Sequence, residues 1–261
     1  MNRLAQGLML ILLGASLIGT LPTGLYLNYV QGWFQPFLVV AGAILVALGL
    51  MLVVFEARAA VRGPSLTERD HDDGHGHDHF RAPRTAWLLL APVLSVFVIA
   101  PPALGAYTAQ STVAEGPPRD VGGGRPLDDL NSSDPDSPVA MEMQDFVVWA
   151  WTDEERTMAD RTIELTGFAV PGEETEGWYL ARLQMTCCAA DTVVNRVLVV
   201  EHPAEFPEPE KNSWWVVRGT WVEPEGDLMD VRDHRFRVEE VEAIDDPPDP
   251  YEKRRPVSDP R

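Results

Sequence analysis

The chain has 261 residues, with 21 Lys and Arg set against 40 Asp and Glu, a formal net charge of −19. So large an acidic excess excludes the usual nucleic-acid binder and argues against docking on anionic lipid headgroups. All of it lies beyond residue 108, because the first 108 residues hold six Arg and six Asp or Glu.

No charged residue occurs from Leu4 to Phe55, an interval of 52 residues, and a second charge-free interval runs from Thr85 to Ala114. The first is too long for one membrane span and about right for two at ~20 residues each. An apolar strand with open edges cannot cross lipid, so these stretches read as helices. The expectation is a transmembrane region over 1–110, with spans at about 4–26, 33–55 and 86–108. "LPTG" (21–24), Asn28, Gln31 and Gly32 form the break between the first two. Trp33, Phe34 and Trp87 fall where aromatic rings favour the lipid–water interface. Gly14, Gly42, Ala43, Ala47, Gly49 and Ala91 are small enough for close helix approach. Span one begins after Arg3 as a signal peptide would. It lacks a clear cleavage site and another span follows at once, so it reads as a retained anchor.

The 56–84 loop carries Arg58, Arg62, Arg69, Arg81 and Arg84, and the next basic residue after span three is Arg119. The positive-inside rule then places the N-terminus and this loop in the cytoplasm, and everything after span three outside, in a multi-pass protein of the plasma membrane. Within the loop, "DHDDGHGHDHF" (70–80) brings His71, His75, His77 and His79 into nine residues, interleaved with aspartates. Imidazole nitrogen suits Zn²⁺ and similar divalent metals, and carboxylate can complete a site. The competing reading is a solvated low-complexity loop.

Residues 111–138 form a linker; over 115–138, seventeen of 24 residues are Pro, Gly, Ser or Asp, which cannot bury a core. Residues 139–246 form the globular domain. "MEMQDFVVWAWTDEERTMADR" reads as a strand followed by a short helical turn. Period-two runs at 162–170, 178–186, 193–201 and 214–222 predict strands, and a weaker run at 236–244 predicts an edge strand. The expected fold class is an α+β membrane protein: three transmembrane helices followed by a small antiparallel, OB-like β-barrel, with a generic sandwich as the alternative. Trp214, Trp215 and Trp221 read as core and rim. Residues 247–261 form a Pro-rich, charged tail.

The two cysteines, Cys187 and Cys188, are adjacent in "MTCCAADT" (185–192). In a strand, neighbouring side chains point to opposite faces. A bridge between neighbours would be a strained eight-membered ring. If the strand ends here in a turn or bulge, both thiols can face one side, with Asp191 as an oxygen ligand or hydrogen-bond acceptor. The plain alternative is one packed small residue and one incidental thiol, although a free thiol outside the cytoplasm is unusual.

"GFAV" (Gly167 to Val170), Arg182, "TCCAAD" (Thr186 to Asp191), "WWVVRGT" (Trp214 to Thr220) and "DPY" (Asp249 to Tyr251) together resemble the YcgQ-like family of bacterial membrane proteins, most specifically through the Cys-Cys-x-Ala-Asp element. The resemblance implies the small partner of a two-component permease, beside a larger YraQ-like permease, with a link to zinc homeostasis. Here Thr192 and Val193 follow the Asp where the family commonly has Ala and a turn residue, and the His-rich loop is no fixed family feature. The expectation is therefore a non-enzymatic permease accessory subunit embedded in the bilayer, handling zinc or another divalent metal at Cys187, Cys188 and Asp191. Its alternatives are a membrane-anchored thiol redox enzyme or sensor, and a structural scaffold. A redox role needs a lowered thiol pKa, and the nearest basic residue, Arg182, lies five positions away.

Overall fold

The computed structural model describes residues 3–62, 102–111, 137–172, 177–203, 206 and 208–253. The chain separates into two compact units: Met1–Tyr26 with Gly32–Pro102, and Leu27–Gln31 with Ala103–Arg261.

In the first unit, helix α1 (Arg3–Gly19) packs on helix α2 (Gln35–Arg62). Pro36 sits in the first turn of α2, where its missing N–H has no helical partner to lose. The pair meets at glycines spaced by seven: a Cβ at Gly14 would lie 2.5 Å from the Gly42 carbonyl oxygen, and one at Gly49 would lie 2.6 Å from that of Gly7. The sequence marks Gly14, Gly42 and Gly49; Gly7 completes the set. Away from this seam α2 leaves Phe37, Val40, Ile44, Leu48, Met51 and Phe55 exposed. Among the described residues, α2 is the one helix long and apolar enough to cross a membrane; α1 is apolar over 17 residues. The third expected span falls largely outside the described residues. Its final part does not continue an apolar helix of the first unit: helix α3 (Ala106–Ser111) belongs to the second, with Ala106 and Ala109 fully buried.

The second unit is a seven-stranded mixed sheet. Strands β1 (Val139–Ala140), β2 (Thr162–Pro171), β3 (Trp178–Met185), β4 (Val193–Glu201), β5 (Trp214–Val222), β6 (Arg235–Ile244) and β7 (Tyr251–Lys253) pair in the order β1-β2-β5-β6-β4-β3-β7. Because β2 also pairs with β3, the strands β2-β5-β6-β4-β3 form a closed ring. Closure removes the sheet's exposed edges. The strand count matches the OB-like expectation, but the sheet is not wholly antiparallel: β4 and β6, β1 and β2, and β3 and β7 run parallel. Nor is β6 an edge strand, since it lies between β4 and β5. Strand β2 turns from β5 to β3 around Gly167, where a Cβ would lie 2.6 Å from the Ala181 carbonyl oxygen, so only glycine fits.

The stretch expected to open with a strand is instead helix α4 (Met143–Thr152). Its Met143, Phe146 and Ala150 recur at three and four residues and are fully buried against Ile163, Leu165, Leu180, Val197, Val217 and Phe236. The "VVWAW" run satisfies helix and strand patterns alike, and burial on nearly every side chose the helix. Helix α3 covers a second cluster that includes Phe168, Ala181, Leu183, Met185, Trp214 and Tyr251. Strand β3 is therefore buried on both faces, which explains its nearly unbroken apolar run. Strand β7 lies in the stretch read as tail.

Candidate functional site

Strand β3 stops at Met185, and the chain turns through Thr186–Thr192, with a single 3-10 turn at Ala189–Asp191. Asp191 builds this turn. Its carboxylate accepts the backbone N–H of Cys187 at 2.8 Å, of Thr186 at 3.1 Å and of Cys188 at 3.4 Å. In return the Cys188 sulfur accepts the Asp191 N–H, a reciprocal cap. Of the two roles the sequence allows Asp191, this geometry supplies the hydrogen-bond acceptor.

The turn sets both sulfurs on one side. Cys187 Sγ and Cys188 Sγ are 3.7 Å apart, unbonded, and both residues are half-buried. The diverging arrangement of an unbroken strand is not adopted, because the strand has ended. Two thiolates on one tetrahedral zinc at ~2.3 Å would stand about 3.8 Å apart, so the observed spacing matches a metal bite. The Cys187 thiol hydrogen bonds to Asp191 and to Cys188, and these bonds, with the adjacent negative charge, push its pKa up to about 12. Burial alone would raise the Asp191 carboxyl; the bonds from the Cys187 thiol and the three amides outweigh it and hold the group below its ordinary value. The Cys187 thiol thus holds its proton rather than standing as an activated thiolate.

Around the turn lie residues the sequence does not connect with it. Val30 pairs with Cys188 as an antiparallel bridge. Gln31 N–H donates to the Cys187 carbonyl at 3.2 Å, and Ala189 N–H donates to that of Tyr29 at 2.8 Å. The Tyr251 hydroxyl donates to the Asn28 carbonyl at 3.0 Å and accepts the Leu104 N–H at 2.8 Å. The available signal is polarity: Asn28 and Gln31 interrupt an otherwise apolar stretch, which the sequence reads only as the turn between two spans.

The other family-like residues lie on β2, β3 and β5 and just before and at the start of β7. Arg182 stacks over Trp214 at 4.6 Å and donates to the Asp249 carbonyl at 3.2 Å. Glu252 is buried and accepts the N–H groups of Met143 at 2.7 Å and Gln144 at 3.1 Å, capping α4 from β7. Burial raises its pKa to about 7, against those two bonds and the charge of Arg182. His71, His75, His77 and His79 lie outside the described residues. Among the described residues, no group of three or more His, Cys, Asp or Glu side chains is arranged to hold a metal; the turn offers two sulfurs, with its carboxylate occupied by amides.

Residues 135–252 match the family model described as the DUF1980 C-terminal domain, consistent with the YcgQ-like resemblance carried by the motifs. No curated protein matches the chain. A crystal structure of a provisionally assigned aspartyl-tRNA synthetase from Leishmania major Friedlin is similar over 43% of this chain and 22% of its own, at 13% identity and a TM-score of 0.24. The match thus spans about a fifth of that chain, and at that score carries no argument here.

Proposed function

We propose that this chain is the accessory subunit of a two-component membrane permease, whose extracytoplasmic barrel takes a divalent metal such as zinc as cargo between Cys187 and Cys188. The observation that carries the reading is the 3.7 Å spacing of the two sulfurs on one side of a capped turn. Two protein donors are half of a tetrahedral shell. Water or a partner's groups would complete it, so binding is weak and reversible, as suits a group that passes its metal on. Both thiol protons must leave, so capture strengthens as pH rises. The raised Cys187 pKa counts against Cys187 as the activated thiolate of a redox enzyme.

Topology supports the membrane half of the proposal. The Leu27–Gln31 loop pairs with the cysteine turn, so the two share one side of any bilayer. If α2 crosses, the chain must cross again before Ala103, and the charge-free stretch beginning at Thr85 is the sequence able to do so. That restores three spans, with arginine placement setting the barrel outside. The histidines of the 70–80 segment then face the cytoplasm, where they would buffer or sense metal. The YraQ-like permease is the proposed partner of the helices: α1 and α2 carry no ionisable residue from Leu4 to Phe55, whereas substrate paths through lipid usually need such groups.

Zinc titration of the full chain in detergent tests this. Cys187→Ser and Cys188→Ser should each weaken one class of site about tenfold or more, as expected for loss of one of two thiolate donors. A variant with Ala at His71, His75, His77 and His79 should remove a different class. Unchanged affinity in both cysteine variants would eliminate the extracytoplasmic site.

A further inference from the structure

The loop between the two helices carries no metal ligand, yet it is built into the dithiol turn. Leu27–Gln31 belongs with the barrel rather than with the helices it joins. At one end, the Asn28 carbonyl is held by the Tyr251 hydroxyl. At the other, the buried Gln31 side chain donates its amide to the Met185 carbonyl at 3.0 Å and to the Glu252 carbonyl at 3.5 Å, tying the end of β3 to β7. Between these anchors, Tyr29, Val30 and Gln31 pair along Cys187, Cys188 and Ala189, the three residues that orient the sulfurs. A buried amide is costly to leave without its bonds, so the loop is held to this register.

We infer that Leu27–Gln31 is a working part of the dithiol site, positioning its two sulfurs and tightening when they are bridged. A backbone ladder to 187–189 fixes the direction of the two Cα–Cβ bonds. A bridge between the sulfurs constrains the same three residues from their side chains. Two constraints on one short segment reinforce each other, and the coupling is reciprocal: the loop favours bridging, and bridging favours the loop's hydrogen bonds. The inference rests on the dithiol being the site, though not on which metal fills it.

Hydrogen exchange on the full chain in detergent reads the coupling at the amides of Gln31 and Ala189. Phenylarsine oxide is the first probe: its arsenic(III) forms two As–S bonds, and its oxygen leaves with the two thiol protons as water, with no change of oxidation state. The expected result is exchange slowed about tenfold at both amides, the ordinary scale of such coupling. With Cd²⁺ as the second probe, Gln31→Ala should weaken binding by a similar factor and shrink the arsenical's slowing of exchange at Ala189, neither of which a purely structural loop residue would alter in a folded barrel. Full reaction of both thiols with the arsenical and no change at these amides overturns the inference; this arm uses the native sequence, so a poorly folding variant does not protect it. Cd²⁺ binding with unmoved amides overturns the inference and leaves the proposed function standing. An arsenical effect without Cd²⁺ binding does the reverse, and failure of both probes to bridge the thiols overturns both.

Discussion

The helix pair and the barrel solve the problem of register by opposite means. Helices α1 and α2 are apolar over most of their length, so apolar burial alone cannot distinguish one packing from another. What distinguishes them is four glycines, Gly7 against Gly49 and Gly14 against Gly42, whose missing side chains let the backbones touch. The barrel has hydrophobic drive in abundance and adds buried polar groups that fit only one arrangement. Glu252 caps α4; the Gln184 side chain donates to that of Gln144 at 2.6 Å; and Asn195 donates to Gln184 at 3.4 Å. Shape selects the packing where everything is greasy; hydrogen bonding selects it where water competes.

Adding a side chain to a glycine in each unit breaks the comparison most sharply. In the barrel, a Cβ at Gly219 would collide with the Arg237 carbonyl oxygen where β5 and β6 shift register. Gly219→Val should cost about 4 kcal/mol or more, the range of exceptional lesions, seen as loss of the near-ultraviolet signal of the buried tryptophans. In the helix pair, Gly14→Leu should cost about 3 kcal/mol, the upper part of the overpacking range, read as loss of cysteine cross-linking between engineered positions on α1 and α2. The tryptophan signal should survive the second change. If it does not, the two units do not fold independently.

Smaller effects come from two buried titratable groups that pull in opposite directions. His234 is buried beside Trp151 and Trp221 with neither ring nitrogen hydrogen bonded; burial drives its pKa down to about 4, against the nearby charge of Asp233. The unfolded chain therefore takes up a proton that the native state refuses, and stability is lost as pH falls from about 6.5 towards 4. Glu252, with its pKa raised to about 7, holds a proton that the unfolded chain has released, and its contribution is lost as pH rises from about 4.5 through 7. The two slopes overlap between about pH 4.5 and 6.5 and oppose each other. The native protein should look nearly flat there in chemical denaturation. His234→Phe should expose a stability that falls with rising pH, and Glu252→Gln one that rises, each by about 2 kcal/mol across the window. Slopes of the same sign in the two variants would contradict this assignment.

The sequence makes the strand runs, the broad α+β class and the glycine seam legible because each depends on local periodicity or on a residue's size. It misplaces what depends on distant partners. Met143–Thr152 carries a run that suits strand or helix, and its fate was decided by burial and by a carboxylate more than a hundred residues away. The 236–244 run looks like an edge because its alternating charges face solvent, yet its backbone is paired on both sides. At the cysteines, adjacency and the downstream aspartate were visible. That the sulfurs face together depends on how Asp191 ends the strand, and the pairing partner, Tyr29–Gln31, lies about 160 residues earlier in a stretch that the sequence assigns to the break between two spans.

The mildest substitution examines the cysteine turn itself. Asp191→Asn keeps the size of the side chain and one acceptor oxygen but removes the charge that three amides and the Cys187 thiol share. Loss of the cap should cost about 1 kcal/mol of barrel stability. The more telling result is chemical. With the neighbouring negative charge gone and its hydrogen bond weakened, the Cys187 pKa should fall from about 12 towards its ordinary value, so alkylation at mildly alkaline pH should accelerate. If Asp191 serves only to shape the turn, zinc affinity should fall as the sulfurs lose their fixed spacing, even though the Cys187 thiol is easier to deprotonate. If affinity rises instead, proton competition rather than geometry limits capture, and the amide cap matters less than the charge it carries.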